Sequence, residues 1–310
     1  MTASDEVLRR ITTDSIDRGW APPIHDIEKW WTKDVLHILS HIMYVIEGSR
    51  RVYSPRVLDL LKIAFCRVMI THSSASFNHQ SMSFKKLQNP SVFHATIDDI
   101  AITWRAATRD IHNAAQSAIY ESPRVMHCDA RELSMRLPLD HYTCVITSPP
   151  YPNRMSYIRE LRPYMYWLGY LKDGREAGHL DWQAIGGTWG VATSKVSKWV
   201  SPSDRIIPYE NFPEITGRIA TQSDVLSRYV HKYFYDMMDH INELFLVAKS
   251  GASIHYIVGN SKFYDVLLPV EEIFAALFEA SGFRSIRVSP IRKRTSKKEL
   301  YEYIVSASKP

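Results

Sequence analysis

The 310-residue sequence is poor in cysteine and contains no long uninterrupted apolar segment. Its three cysteines, Cys66, Cys128 and Cys144, are isolated and lie in apolar surroundings, which favours reduced core thiols over disulfides or metal ligands. No apolar run approaches the ~20 residues that cross a bilayer, and no charged and then apolar leader opens the sequence. We therefore expect a cytoplasmic protein with no membrane partner and no bound metal.

The charge of the chain is only slightly unbalanced. Lys and Arg number 38 and Asp and Glu number 33, which gives a net charge of +5. A surface with this charge can bind a polyanion, but it is not the surface of a highly basic protein that binds any polyanion. A hydrophobic content of 45% with 12% aromatic residues supports one large or two modest packed domains and excludes a disordered chain.

The most informative stretch is 145–151, in which a short apolar strand runs into Ser148, Pro149, Pro150 and Tyr151. The prolines fix φ at about −65° and provide carbonyl acceptors without N–H donors. Acceptors and an aromatic ring would then lie together at the carboxyl end of a strand, where open α/β sheets bind ligands. These groups suit a planar base with an exocyclic amine. The alternative is a loop that only ends the strand.

A second apolar run precedes this turn. Residues 124–128 are followed by the acidic Asp129. About a dozen polar residues then lead to the strand that precedes Ser148, and this spacing fits two neighbouring strands with a short connection.

Thr147 and the four residues after it resemble the catalytic motif of the amino-methylating DNA methyltransferases, in which Asp, Asn or Ser precedes Pro-Pro-Tyr or Pro-Pro-Phe. The Ser form is associated with methylation of cytosine N4, and no cysteine here follows a proline as in the cytosine-C5 enzymes. From about Trp30 onward the layout is similar to that of a bacterial subfamily, including Cys-Asp-Ala-Arg at 128–131 and Ile-Gly-Gly-Thr-Trp at 185–189.

The resemblance implies a site-specific enzyme that transfers a methyl group from S-adenosylmethionine to double-stranded DNA, as part of a restriction-modification system with a cognate restriction endonuclease. Its target base would be flipped out of the duplex. We expect the Ser148 hydroxyl and the Pro149 carbonyl to accept the two amine hydrogens and Tyr151 to stack on the base, with Pro150 completing the turn. The methyl transfer would be a direct displacement without a metal.

Asp129 and Thr147 are the candidate cofactor residues. A carboxylate at Asp129 is placed to accept from the adenine amine of S-adenosylmethionine, whereas its alternative role is to cap a helix that starts at Ala130.

The candidate DNA contacts lie after the motif and in two basic segments. They are Asn153, Arg154, Tyr157, Lys195, Lys198, Arg292, Lys293 and Arg294. Each has a structural alternative, which is a helix face for the first three, a solvated loop for the lysines and a hairpin tip for the last three. The surrounding segment 172–223, irregular and rich in Trp and basic residues, is the candidate target-recognition insertion.

The patterns together predict an α/β protein of four regions. These are a helical region at 1–120, catalytic strands with the motif at 121–171, the insertion at 172–223 and the C-terminal half of the sheet at 224–310. Five strands are predicted, at 124–128, 142–147, 253–259, 285–289 and 300–306, and the last two form an antiparallel edge pair.

The glycine-rich cofactor turn of this family, Phe-x-Gly-x-Gly after a first strand, is missing. Five strands against the seven of a complete sheet indicate an incomplete Rossmann-like S-adenosylmethionine-dependent sheet without its first two strands. In the subfamily that segment lies N-terminal to the start of this chain. We therefore expect a cofactor-binding partner subunit that carries this motif, or a truncated remnant. Adenine-N6 methylation and a non-catalytic DNA-binding subunit stay open as alternatives.

Overall fold

The computed structural model describes residues 2–13, 20–76, 83–84, 95–116, 123–153, 156–188, 190–294 and 300–310. The chain divides into two compact units. We call Met1–Pro123 with Glu160–Ala177 the helical unit, and Arg124–Arg159 with Gly178–Pro310 the sheet unit.

The helical unit is built from amphipathic helices with regular N-caps. In chain order its elements are α1 (Ala3–Thr13), α2 (Lys33–Gly48), α3 (Pro55–Thr71), the short strands β1 (Ala75–Ser76) and β2 (Ser83–Phe84), and α4 (Ile97–Ala115). Thr32, Ser54 and Thr96 cap the three long helices by accepting from the backbone N–H three residues later. The apolar stripes of these helices form a core in which Trp31 and Trp104 are fully buried.

The sheet unit alternates strands with helices. Its strands are β3 (Tyr142–Thr147), β4 (Ala248–Gly259), β5 (Ser261–Phe263), β6 (Val266–Leu268), β7 (Arg284–Lys293) and β8 (Tyr301–Ser308). Its helices are α7 (Val191–Val196), α8 (Phe212–Ala220), α9 (Asp224–Val247) and α10 (Val270–Ala280), while α5 (Tyr157–Trp167) and α6 (Gly174–Gln183) contain residues of both units.

The main sheet has the strand order β3-β4-β8-β7. β3 runs parallel to β4, and β8 runs antiparallel to both β4 and β7. The prediction of a mixed α/β fold whose last two strands form an antiparallel edge pair is thereby confirmed. Because β3, β4 and β7 share one direction, their carboxyl ends meet at one edge of the sheet, and the turn at 148–151 follows β3 there.

A hydrophobic core fixes α9 and α10 within this unit. Alternate residues of β4, Ile254, Tyr256 and Val258, are buried, as the two-residue period of a strand requires. The ring of Tyr256 packs edge-on against Phe278 of α10 at 5.0 Å between ring centroids. α9 contributes its own buried face, and His240 of α9 contacts the hydroxyl of the same Tyr256, so both helices pack against the buried face of β4.

Two predictions of secondary structure were wrong. Residues 124–128 form no strand, and Val125 among them is 96% exposed. A strand needs the N–H and C=O groups of a neighbouring strand, and no such neighbour pairs with this segment among the described residues. The segment 172–223 is not irregular throughout, because it includes α7, α8 and most of α6. Helices of 6–10 residues show too few turns for a readable period and depend on packing.

No helix in the described part of the chain is long and apolar enough to cross a membrane. The same residues contain no group of three or more His, Cys, Asp and Glu side chains placed to hold a metal ion. The three cysteines are free thiols, and burial raises the pKa of Cys66 to about 11. Contrary to the expectation of core thiols throughout, Cys144 is exposed on β3.

Candidate active site

The turn after β3 is fixed first by the neighbouring strand. β3 and β4 are in parallel register with Thr147 opposite Tyr256. The Ser148 hydroxyl donates a hydrogen bond of 3.2 Å to the Ile257 carbonyl of β4. Ser148 itself is exposed, whereas Pro149 after it is buried. The hydroxyl is thus held in one orientation while its lone pairs face outward from that bond.

A buried tyrosine of α9 fixes the turn from a second direction. The Tyr233 hydroxyl donates to the Pro150 carbonyl at 2.7 Å. Burial raises the pKa of Tyr233 well above its ordinary value, so this hydroxyl stays a neutral donor. Downstream, the Asn153 N–H donates to the Tyr151 carbonyl at 2.8 Å. The turn is therefore rigid at both of its ends.

Tyr151 lies directly against the backbone at the end of β4. A Cβ built on Gly259 would lie 3.0 Å from Cε2 and 3.2 Å from Cδ2 of the Tyr151 ring. The same point lies 3.5 Å from Nη1 of Arg294. The ring is therefore closer than a side chain at position 259 would ordinarily allow, whereas the guanidinium lies at ordinary contact distance. Neither Gly259 nor Tyr233 was singled out from the sequence, which carries no local signal for either contact.

A second charged constellation surrounds Asp129. The Arg131 guanidinium binds both Asp129 carboxylate oxygens, at 2.7 and 3.0 Å, and also binds the Asp236 carboxylate of α9 at 3.0 Å. A further guanidinium N–H donates to the Gln183 carbonyl at 2.8 Å. Lys232 completes the cluster with a bond of 2.5 Å to the other oxygen of Asp236. Arg131 therefore ties residues 129–131 to α9 and to the end of α6.

These contacts set the charge state of Asp129. The side-chain hydrogen bonds from Arg131 are the main reason that the pKa of Asp129 is lowered, so the carboxylate is ionised at neutral pH. The Arg131 pKa is raised in turn, first by Asp129. The carboxylate also accepts from the Arg131 backbone N–H at 2.9 Å, but it caps a turn there, because no helix begins at Ala130. The cofactor role of Asp129 stays a prediction.

A buried histidine supports the same segment. His240 of α9 contacts the Ala130 carbonyl through Nδ1 at 2.8 Å and the Tyr256 hydroxyl through Nε2 at 2.6 Å. Burial lowers the pKa of His240, so the ring is neutral, with Nδ1–H donating to the carbonyl and Nε2 accepting from the hydroxyl. The 129–131 turn is thus positioned by a polar network inside the core.

A cavity of about 650 Å³ opens between these two constellations within the sheet unit. Its lining combines charged, polar and apolar groups, among them His127, Cys128, Asp129, Pro150, Gln183 and Ile185. The cavity brings together Asp129 and Pro150, which were predicted separately as cofactor and catalytic residues. Thr147, at the end of β3, is not part of this lining. His127 and Gln183 were not predicted from the sequence.

The predicted DNA-contacting residues between 153 and 198 differ in their exposure and in their contacts. Asn153 is half-buried, Tyr157 begins α5 with its side chain exposed, and Arg154 lies outside the described residues. Lys195 stands over the Trp182 ring at 5.4 Å, a cation–π contact, while Lys198 is exposed.

The basic turn, Arg292 to Arg294, lies at the same sheet edge as the turn after β3. Its first two residues are the last residues of β7 and not a hairpin tip, and Arg294 follows the strand. Arg292 binds Glu302 at 2.5 Å, Lys293 stands over the Tyr301 ring at 5.9 Å, and Arg294 donates to the Asn260 carbonyl at 3.2 Å. Each of the three cations therefore contacts a different partner.

No protein-family model matches the chain. The sequence is similar to the type II methyltransferase M.AvaI of Nostoc sp. (strain PCC 7120) and to that of Anabaena variabilis, with 26% identity over 172 residues in both cases. Each match covers 52% of this chain and 35% of the relative, so the chain spans about a third of the length of these relatives. A solved structure from Thermus thermophilus, described as a DNA modification methylase, is 15% identical, with coverage of 59% of this chain and 50% of that one and a TM-score of 0.30.

Proposed function

We propose that the chain is a DNA methyltransferase that acts on the exocyclic amine of a base flipped out of double-stranded DNA. The observation that carries the proposal is the geometry of residues 148–151. This turn presents a hydroxyl, carbonyls and an aromatic ring at the carboxyl end of β3, fixed by Ile257 and Tyr233 beside a cavity lined by Asp129. The similarity to relatives named type II methyltransferases supports the same activity.

The turn would activate an amine by holding its hydrogens. The lone pair of an exocyclic amine is delocalised into the ring, which makes the nitrogen a poor nucleophile. Ser148 donates its own hydrogen to Ile257, so its lone pairs are left to accept. Among the described residues no donor is bonded to the Pro149 carbonyl. Two acceptors placed in this way favour a pyramidal nitrogen whose lone pair points away from them, and Tyr151 would stack on the base.

The cavity suits S-adenosylmethionine, which would supply an electrophilic methyl group on its sulfonium. The volume of about 650 Å³ is within the range of small-molecule sites, ~300–1,000 Å³. Pro150 offers an apolar wall for a planar ring, and the ionised Asp129 keeps lone pairs beyond those that Arg131 uses. We propose Asp129 as the acceptor for an amine of the cofactor and Thr147 as a further cofactor residue.

The methylated atom is proposed to be cytosine N4, because Ser148 occupies the first position of the motif. Adenine N6 is the alternative, since the same two acceptors would hold either amine. Transfer of a labelled methyl group to duplex DNA, followed by base-resolved sequencing, separates the two.

Ser148→Ala tests the assignment of the turn. Removing one preorganised hydrogen-bonding group costs ~10²–10³-fold in rate in comparable sites, so we expect a loss of at least ~100-fold. Ser289→Ala, at an exposed position of β7, is the matched control and should leave the rate unchanged. Unchanged methylation by Ser148→Ala would remove the catalytic role. If the biological effect of the chain also persisted, a non-catalytic DNA-binding subunit would be the better account.

We further propose that a second polypeptide completes the cofactor site, with a glycine-rich turn of the Phe-x-Gly-x-Gly kind, in a restriction-modification system with a cognate endonuclease. Among the described residues β3 is paired on one side only, with β4. Ile146 on this strand is 72% exposed, and apolar strand edges are seldom left bare. Calorimetric titration tests the proposal. A monomeric, cooperatively folded chain that bound S-adenosylmethionine tightly by itself would refute it.

Target recognition is proposed to lie in segment 172–223, with Lys195 and Lys198 contacting DNA and with Asn153, Arg154 and Tyr157 near the flipped nucleotide. The basic turn Arg292, Lys293 and Arg294 is proposed to contact the DNA backbone. Phosphate contacts position a duplex without reading its sequence. Single substitutions of Arg292, Lys293 or Arg294 should therefore weaken binding to all DNA sequences alike.

A further inference from the structure

The strand directions place the basic turn at the end of β7 beside the candidate active site. β8 is antiparallel to both β4 and β7, so β7 ends at the sheet edge where β3 and β4 also end. The register is explicit there, because Glu302 of β8 pairs with Gly259 on one side and with Arg292 on the other. Atoms of Tyr151 and of Arg294 both lie within 4 Å of the position that a Gly259 Cβ would take.

The three cations of the turn are not equivalent. Arg292 is largely exposed and its guanidinium is neutralised by Glu302 at 2.5 Å. Lys293 is directed at the ring of Tyr301. Arg294 instead brings Nη1 to 3.5 Å from the position that a Gly259 Cβ would take, beside the Tyr151 ring at 3.0 Å from the same point. Arg292 also interacts electrostatically with Tyr151, but its guanidinium is bonded to Glu302, so Arg294 is the better placed of the two to bind a ligand beside this ring.

Arg294 is also held in place before any ligand arrives. Its backbone N–H donates to the Leu300 carbonyl at 2.8 Å, and Nη1 donates to the Asn260 carbonyl at 3.2 Å. Asn260 is itself buried and accepts from the Tyr301 N–H through its side chain at 2.9 Å. A guanidinium has five N–H donors, and the described contacts of Arg294 use one of them. The remaining donors match the oxygens of a phosphate.

We propose that Arg294 binds a phosphate that flanks the flipped nucleotide, and so holds the target base against Tyr151. The inference rests on the proposed function, since it is Tyr151 that would stack on the base. A flipped base carries its sugar and flanking phosphates into the site, and a preorganised cation beside the stacking ring is suited to receive one of them. Arg294 also interacts electrostatically with Glu302, but its described hydrogen bonds go to Asn260 and Leu300, which distinguishes it from Arg292, bonded to Glu302, and from Lys293, which faces the Tyr301 ring.

A double-perturbation experiment tests this contact. Each phosphate that flanks the target base is replaced in turn by an uncharged methylphosphonate, and kcat/KM is measured for the wild-type chain and for Arg294→Ala. We expect one methylphosphonate and the substitution to reduce kcat/KM by a similar factor, about 10- to 100-fold, as for a lost charge-assisted hydrogen bond. Together they should reduce it no further than either alone.

Lys293→Ala is the matched control, because it removes a neighbouring cation of the same turn. It should retain the full sensitivity to the methylphosphonate. Arg294→Gln keeps a donor for the Asn260 carbonyl without the charge, so it separates the phosphate role from support of the turn. An Arg294→Gln variant with wild-type activity and wild-type methylphosphonate sensitivity would overturn the proposal. The proposal would also fail if the losses in kcat/KM from Arg294→Ala and from the methylphosphonate were additive at every flanking phosphate.

Binding gives a readout that does not depend on methyl transfer. Fluorescence anisotropy with a duplex that carries one unpaired cytosine should show weaker binding for Arg294→Ala and a salt slope smaller by about 0.9, as expected for one lost phosphate contact. A wild-type chain that methylates no DNA would refute the proposed function, whereas the binding comparison would still decide the role of Arg294. Equal affinities and salt slopes for both chains would overturn that role.

Discussion

Replacing Arg131 by Gln should destabilise the sheet unit in a manner that depends on pH. The guanidinium binds two carboxylates and one backbone carbonyl, and its side chain is 21% exposed. Removing one partner of a fully buried ion pair costs ~3–5 kcal/mol, and an exposed pair contributes ~0.2–1 kcal/mol. Asp129 is 39% exposed and Asp236 keeps its bond to Lys232. The expected loss is therefore about 2 kcal/mol in the free energy of unfolding.

The sign of the pH dependence follows from Asp129. Its pKa is lowered from the ordinary value of 3.8, chiefly by the Arg131 hydrogen bonds, so the folded state favours the ionised carboxylate. The resulting stabilisation is fully present above pH 3.8 and is lost as the pH falls through the lower folded pKa. The difference between the wild-type chain and Arg131→Gln should thus be largest near neutral pH and shrink below pH 3.8.

Urea unfolding of both chains at pH 7 and at acid pH measures this difference, and hydrogen exchange of peptides that cover 128–137 gives a local readout. Arg218→Gln is the matched control, because Arg218 is exposed on α8 and lies 4.0 Å from Glu214. It should cost less than ~0.5 kcal/mol at any pH. An Arg131→Gln loss as small as that of the control, or a loss that grows on acidification, would contradict the proposed role of the Asp129 pair.

Three glycine substitutions make further predictions. Gly187→Ala should lower the free energy of unfolding by at least ~3 kcal/mol in urea titrations, since its Cβ would lie 1.6 Å from the Asp181 carbonyl oxygen. By contrast, the Cβ of Gly217→Ala in α8 would meet no atom within 4 Å, so this substitution should raise the free energy of unfolding by ~0.5–1 kcal/mol. Gly259→Ala should reduce kcat for methyl transfer about tenfold with little change in Tm, because a methyl group 3.0 Å from the Tyr151 ring displaces it. An unchanged kcat would argue that the position of this ring does not matter for transfer.

Local pattern was sufficient for four of the five predicted strands, although only β4 and β8 among them bury alternate residues. The strands predicted at 142–147, 253–259, 285–289 and 300–306 correspond to β3, β4, β7 and β8, although β4 and β7 extend beyond the predicted limits. The failed strand at 124–128 has suitable residues, and it differs from the others in that no described strand pairs with it. Strand formation there is decided by a neighbour, which composition does not report.

The candidate site likewise contains residues that the sequence pattern identifies and residues that only the fold brings to the site. The turn residues Ser148 to Tyr151 were evident because two prolines and an aromatic ring form a contiguous pattern. The groups that hold the turn, Ile257 and Tyr233, were not evident because each is distant in sequence and chemically ordinary for its helix or strand. Arg131 was seen only as part of a motif, while its contacts with Asp236 and Gln183 required the fold.

The hydrogen bonds that fix the site also determine when it can exist during synthesis. Ser148 bonds a residue 109 positions later, Arg131 one 105 positions later and Pro150 one 83 positions later. At ~5–20 residues per second, roughly 5–20 s separate translation of the turn from translation of β4. The turn therefore leaves the ribosome without its supports and becomes ordered only when the sheet closes. A nascent or prematurely terminated chain that lacks β4 should consequently lack the ordered turn on which the proposed activity depends.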